Sequence, residues 1–194
     1  MSLTETPVYN FGEKIKQFEL ISTEGTFMSL KDIKGQNGTL IMFICNHCPY
    51  VKAIIKELVD VTNKISKLGI NSVAIMSNDV NNYPEDSFEN MKNFSKINNF
   101  KFPYLHDETQ EVAQNYGAVC TPDFFGYNKN NELQYRGRIK EMKNLEPALE
   151  GRNDLLNAMK LIAKSSNGPK HQYPSMGCNI KWKKFSIQIT MLIY

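Results

Sequence analysis

An α/β protein containing a parallel strand pair is what this sequence predicts, and three observations carry that expectation. Thr39 to Ile44, T-L-I-M-F-I, is an unbroken apolar and β-branched-rich run, the pattern of a strand covered on both faces. Val51, Ile54, Ile55, Leu58, Val59, Thr62 and Ile65 follow at helical spacing, so a helix comes directly after that strand. Ile70 to Met76 is a second apolar run, which makes Leu40 to Met76 a βαβ unit with a right-handed crossover. Where the first strand ends and the helix begins stand Cys45 and Cys48, two residues apart.

The remaining elements follow in order. Phe18 to Ile21 and Thr26 to Leu30 read as a hairpin across Thr23-Glu24-Gly25, and Ser29 to Ile33 as one helical turn. Pro49 suits the first turn of the helix after Cys48, whose early positions have no use for an N–H, and Gly69 closes that helix after Lys64 and Lys67. The polar stretch Ser77 to Asp86, S-N-D-V-N-N-Y-P-E-D, sits at the carboxyl end of the second strand and is expected beside Cys45. Asp86 or Ser87 reads there as the cap of a helix over Phe88 to Asn98. Phe102 to Leu105 is a short strand, and Asp107 to Tyr116 a helix stopped by Gly117. Val119 to Tyr127 is a strand containing Thr121-Pro122, where the proline is tolerated at a strand start and can be cis. Glu132 to Arg138 alternates as its hairpin partner, and Asn153 to Ala163 is a final helix with an apolar stripe at Leu155, Leu156, Met159 and Ile162. From Ser165 the chain turns loop-like, and Phe185, Ile187 and Ile189 alternate with polar residues as an edge strand would.

With 194 residues and no break in composition, one domain is expected, residues 1–164, with 165–194 as an extension packed on it or leading away. A net charge of +3 with interspersed signs gives no indication of nucleic-acid or membrane partners. The first residues lack a basic segment followed by an apolar one, and no run approaches the ~18 apolar residues of a membrane span, so a soluble cytoplasmic protein is expected. In a reducing compartment the four cysteines do not read as a disulfide framework.

A dithiol at a helix N-terminus meets unpaired N–H groups and the positive end of the helix dipole, which favour the thiolate. Lowering a thiol from ~8.5 to ~6.5 takes about 2.7 kcal/mol, more than the ~0.3–1 kcal/mol of a helix terminus. The motif itself offers His47, if protonated, and the Cys48 S–H as further donors to Cys45. Two buried small hydrophobes would not need this spacing. Cys45, His47, Cys48 and Cys120 also form a metal-ligand set, but no second closely spaced ligand pair accompanies them. Cys120, two residues before Pro122, is expected to face the dithiol as a buried thiol or a third redox cysteine. Cys178 reads as a free surface thiol in preference to a distant resolving cysteine. His106 and His171 have no visible partners.

The order of parts resembles the thioredoxin-like superfamily, in its redoxin branch related to alkyl hydroperoxide reductase and thiol-specific antioxidant proteins. M-F-I-C-N-H-C-P-Y-V-K at Met42 to Lys52, S-N-D-V-N-N-Y-P-E-D-S at Ser77 to Ser87, P-Y-L-H-D-E-T-Q-E-V-A at Pro103 to Ala113, Y-G-A-V-C-T-P-D-F-F at Tyr116 to Phe125 and S-M-G-C-N-I-K-W-K at Ser175 to Lys183 are similar to blocks of small bacterial thioredoxin-family proteins. The resemblance implies a central mixed sheet flanked by helices, with an N-terminal hairpin and the C-terminal extension. It implies Cys45 as the attacking and Cys48 as the resolving cysteine, with His47 tuning the thiol as in the oxidant DsbA. It places a cis-proline at Pro122 which, with the Thr121 backbone, presents an edge for an extended substrate segment. Ile44 stands where thioredoxins carry Trp, and Cys45 where peroxiredoxins carry Thr, with no Pro ahead of it. The implied activity is therefore thiol–disulfide exchange on protein or small-molecule disulfides and thiols, by a monomer or homodimer, with no cofactor. Thiol-dependent peroxidase is the alternative, and a Cys/His metal-binding protein the lesser one.

Overall fold

In a computed structural model, described over residues 3–7, 11–143, 145–147 and 152–184, the chain opens with strand β1 (Leu3–Glu5) and the hairpin β2 (Glu19–Ser22) and β3 (Phe27–Ser29). Helix α1 (Leu30–Ile33), strand β4 (Gly38–Phe43), helix α2 (Pro49–Ser66) and strand β5 (Ile70–Met76) follow. Helix α3 (Phe88–Ile97), strand β6 (Tyr104–His106), helix α4 (Glu111–Tyr116), and strands β7 (Cys120–Thr121), β8 (Asp123–Asn128) and β9 (Leu133–Arg136) come next. A small hairpin of β10 (Met142–Lys143) and β11 (Glu146–Pro147), helix α5 (Asp154–Ser165) and strand β12 (Met176–Asn179) complete the order.

Seven strands form one mixed sheet in the order β3-β2-β6-β5-β4-β8-β9. β4 lies inside it, parallel to β5 and antiparallel to β8, and all six of its residues are buried. Its alternation divides the core. Leu40 and Met42 pack with Ile54 and Leu58 of α2 and Leu155 and Met159 of α5, while Ile41 and Phe43 pack with Leu30 and Ile33 of α1 and Val112 and Tyr116 of α4. Two apolar layers, each side chain contributing about 1.5–3 kcal/mol by burial, thus clamp the strand that carries the dithiol at its end.

Three expectations are corrected. The helix placed over 107–116 begins only at Glu111, because the Asp107 carboxylate turns inward to accept from Ser77 Oγ (2.8 Å) and the Ala113 amide (2.9 Å), while Gln110 adopts a left-handed φ of 68°. The single strand over 119–127 is two strands. The Thr121–Pro122 peptide is cis, and β7 leaves the large sheet for a three-stranded one, β1-β12-β7. The loop expected after Ser165 contains β12, which seats Met176–Asn179 against β1 and β7. Lys181 N donates to Asn78 Oδ1 (2.8 Å) and Lys183 N to Gln110 Oε1 (2.7 Å). The edge strand expected over 185–189 lies outside the described residues.

Candidate dithiol active site

β4 hands over to α2 through Ile44 to Cys48, and Cys48 is the N-cap of α2 with Pro49 as its first residue. A polar frame holds this loop. The Asp86 carboxylate, fully buried, accepts from Asn46 N (2.8 Å), His47 N (3.2 Å), Asn78 Nδ2 (2.8 Å) and His47 Nδ1 (2.6 Å). Tyr104 Oη donates to Asn46 Oδ1 (3.0 Å), and the His47 ring stacks on Tyr83 at 5.7 Å. The loop Ser77 to Asp86 therefore lies beside Cys45, as expected. Ser87 caps α3, accepting from Asn90 N. Asp86 does not cap, and its role under the dithiol was missed because a carboxylate in a polar loop before a helix carries the same local signal as a cap.

Both sulfurs are buried around Thr121. Cys45 Sγ lies 3.3 Å from Thr121 Oγ1 and 4.0 Å from His47 Nδ1, and Cys48 Sγ lies 3.1 Å from the Thr121 carbonyl oxygen. The charge falls differently from the expectation. Cys48 is pulled down to about 5: the Cys45 S–H donates to it, burial opposes, and the amide of Val51 in the first turn of α2, the Thr121 hydroxyl and the Cys178 amide add to the pull. The Thr121 carbonyl accepts from Cys48 only in its thiol form, and these donors outweigh it. Cys45 is pushed well up, because its S–H is given to Cys48, it is buried, and the Asp86 charge opposes its ionisation. The first ionisation of the pair is therefore favoured at Cys48. Cys45 is itself buried, with 1% of its surface open.

His47 is raised, first by its bond to Asp86, with burial opposing. Asp86 is pushed up by burial, but the His47 and Asn78 donors turn the net shift downward. His47, raised on folding, contributes stability that is complete below its unfolded value of ~6.5 and is lost as pH rises through its folded value. Asp86, lowered, contributes stability present above ~3.9 and lost as pH falls through its folded value. The stability difference between wild type and Asp86→Asn, from urea midpoints, is therefore expected to be largest between about pH 4 and 6.5 and to shrink toward alkaline pH. A difference that does not shrink as pH rises beyond about 6.5 would show that His47 is not held charged by Asp86.

Cys45, His47, Cys48, Thr121 and Pro122 thus come together, while Cys120 hydrogen-bonds elsewhere though it stands close enough for the charge of Cys48 to raise it. It pairs with Asn179 across β12, on the face opposite Thr121, donates to the Pro122 carbonyl (3.6 Å), and is pushed up by burial and by Asp123. The thiol beside Cys48 is Cys178, expected at the surface but 3% exposed in β12, opposite Thr121. β12 also occupies the Thr121 edge at which a substrate strand was expected, and Ser175 Oγ donates to the Pro122 carbonyl (2.7 Å). Among the described residues, Cys45, His47 and Asp86 form a group with metal-ligand chemistry, but the direct His47–Asp86 bond occupies two of its three donor atoms.

The chain was compared with known proteins. The family model described as AhpC/TSA family matches residues 11–141. A crystal structure of an uncharacterized conserved protein from Geobacillus kaustophilus superposes with a TM-score of 0.90 at 39% identity, covering 96% of this chain and 99% of that one. The thioredoxin domain of a thiol-disulfide oxidoreductase from Bacteroides vulgatus, at 15% identity and TM-score 0.62 over 80% of this chain and 99% of that one, shares the fold, which is thioredoxin-like. The putative peroxiredoxin bcp of Coxiella burnetii is 27% identical over 115 residues, 59% of this chain and 71% of that protein. The thiol-disulfide oxidoreductase ResA of Bacillus thuringiensis subsp. konkukian is 24% identical over 140 residues, 72% of this chain and 73% of that protein. With its thioredoxin-like fold, its strand-to-helix dithiol and a family match over most of its length, the chain belongs to the AhpC/TSA family.

Proposed function

We propose that the chain is a thiol–disulfide oxidoreductase in which Cys45 attacks and Cys48 resolves. The observation that carries this reading is the buried dithiol at the N-terminus of α2, with Cys45 Sγ 3.3 Å from Thr121 Oγ1 and Cys48 Sγ 3.1 Å from the Thr121 carbonyl oxygen. The Cys48 thiolate takes the Cys45 proton as Cys45 Sγ attacks a substrate disulfide; a Cys45–substrate bond forms and the first substrate sulfur leaves as thiolate. Cys48, still facing the Val51 amide, the Thr121 hydroxyl and the Cys178 amide, gives up that proton, attacks Cys45 Sγ, forms the Cys45–Cys48 disulfide and frees the second substrate thiolate. The family membership and the similarity to ResA support the same chemistry. Exchange of this kind needs no organic cofactor.

The trap for this assignment is single-turnover mass spectrometry with a disulfide-bonded peptide. Cys48→Ser is expected to accumulate a mixed disulfide on Cys45, and Cys45→Ser to form one on Cys48 far more slowly. A mixed disulfide on Cys48 that forms as fast in Cys45→Ser as in wild type would exchange the two roles.

A second reading is favoured by the same low-pKa Cys48 and by the similarity to bcp. Cys48 thiolate would attack peroxide to give a sulfenic acid and water, and Cys45 would condense with it to the disulfide, releasing a second water. Rapid consumption of hydrogen peroxide by reduced protein that survives Cys45→Ser and is lost in Cys48→Ser would establish it.

Substrate disulfides would approach on the Pro122 side, where Tyr50, Ile139, Met142 and Met176 line a groove together with Arg138 and Lys140. Thr121 and Pro122 then bound the reacting sulfurs on the protein side. Among the described residues no helix is long and apolar enough to cross a membrane. The cytoplasm, expected from the sequence, completes the reading, since reduced thiols are maintained there. Cell fractionation tests that placement.

A further inference from the structure

The C-terminal extension brings a third thiol to the dithiol. β12 pairs antiparallel with β7, with Cys178 directly opposite Thr121. Residues directly opposed across such a pair send their side chains to the same side, and that side is set by Thr121 Oγ1, 3.3 Å from Cys45 Sγ. Cys48 and Cys178 lie close enough to act on each other's ionisation, the Cys178 amide favouring the Cys48 thiolate and the Cys48 sulfur opposing ionisation of Cys178. The strand is seated closely: a Cβ on Gly177 would collide with the Thr121 carbonyl and meet Pro122 Cδ, and Ser175 Oγ is bonded to the Pro122 carbonyl at 2.7 Å. The extension thus presents a cysteine along the edge beside Pro122.

We propose that Cys178 is a third redox thiol of this site, forming a Cys48–Cys178 disulfide that interconverts with the Cys45–Cys48 disulfide. The proposal rests on dithiol exchange at Cys45 and Cys48. The Cys178 sulfur, on losing its proton, attacks Cys48 Sγ; the Cys48–Cys178 bond forms, the Cys45–Cys48 bond breaks, and its electron pair passes to Cys45, which takes up a proton. One disulfide and one thiol are present before and after, so no outside oxidant or reductant enters the step. In the reduced chain Cys178 is held up to about 12 by burial first and then by the hydrogen bond and charge of Cys48. The last two of these disappear once Cys48 is in a disulfide, so attack by Cys178 is enabled by oxidation of its neighbour. The product leaves Cys45 a free thiol beside His47, while the buried disulfide stores the oxidising equivalents.

The test oxidises full-length wild type, Cys45→Ser and Cys178→Ala with glutathione disulfide, quenches with acid, alkylates and maps tryptic peptides. Cys45 and Cys48 share the peptide 35–52, and Cys178 lies in 171–181. The expected result is 35–52 linked to 171–181 with Cys45 alkylated in part of the wild type, the same link in Cys45→Ser, and its complete loss in Cys178→Ala, which retains the Cys45–Cys48 disulfide. Alkylated Cys178 throughout the wild type together with stable glutathione on Cys48 in Cys45→Ser would overturn the proposal while leaving dithiol exchange standing. Absence of any internal disulfide in all three chains would overturn both.

Discussion

Cys45→Ser is expected to lower steady-state disulfide exchange at least about a thousand-fold, because it removes the attacking sulfur and not merely a group that assists it. Cys48→Ser is expected to lose turnover to the same extent by a different route, since the first half-reaction still forms a mixed disulfide that nothing at position 48 can resolve. Thiol release from a disulfide-bonded peptide measures the rate, and circular dichroism verifies the fold. The replaced hydroxyl at position 45 keeps Thr121 Oγ1 as a partner, which lay 3.3 Å from the sulfur, so the loss is expected without unfolding. Turnover near the wild-type rate in either variant would remove that cysteine from the mechanism.

The second large effect is on stability, in a buried ion pair directly behind the site. Asp123 follows Pro122, and its carboxylate accepts from Arg136 Nη2 (2.8 Å) and Nε (3.3 Å) with the two side chains 0% and 1% exposed. The guanidinium also lies over the Phe125 ring, 4.4 Å from its centroid. Burial pushes the Asp123 carboxyl up and Arg136 pulls it only partly back, so this pair is sustained at a desolvation cost. Asp123→Ala leaves a guanidinium buried without its carboxylate. A loss of about 3–5 kcal/mol is expected, or a melting temperature lower by roughly 6–20 °C at ~2–4 °C per kcal/mol. The double variant Asp123→Leu with Arg136→Met is expected to be much milder, because neither partner is then left charged in the core. Equal losses in the single and double variants would show that packing volume, not the charge, sets the cost.

What could be read from the residues divides by range. β4, α2 and β5 were evident because each is buried over its whole length or along one face, so local hydrophobic pattern and final environment agree. The dithiol was evident for the same reason, being fixed to the junction of two such elements. β12 was not, since M-G-C-N has neither length nor alternation and becomes a strand only because β7 and β1 pair with it from distant parts of the chain. Cys178 and Asp86 were misjudged by the same route: a cysteine in a Gly-flanked segment and an acid before a helix carry bland local readings, and only tertiary pairing brings them to the sulfurs. The direction of the thiol shifts was likewise not local. The helix amide, the Thr121 hydroxyl and the Cys178 amide converge on Cys48, whereas the sequence suggested that the helix N–H groups, His47 and the Cys48 S–H act on Cys45.

The most direct test of dithiol chemistry equilibrates Cys178→Ser, in which Cys45 is the one partner expected for Cys48, with glutathione buffers at pH 7 and measures the mass of peptide 35–52 after acid quench and alkylation. A single two-electron transition from doubly alkylated peptide to an internal Cys45–Cys48 disulfide is expected. Its midpoint should lie above the ~−270 mV of thioredoxin, because a thiolate stabilised at Cys48 favours the reduced form. Peptide 35–52 that remains doubly alkylated at every ratio of the two glutathione forms would contradict dithiol exchange at this site.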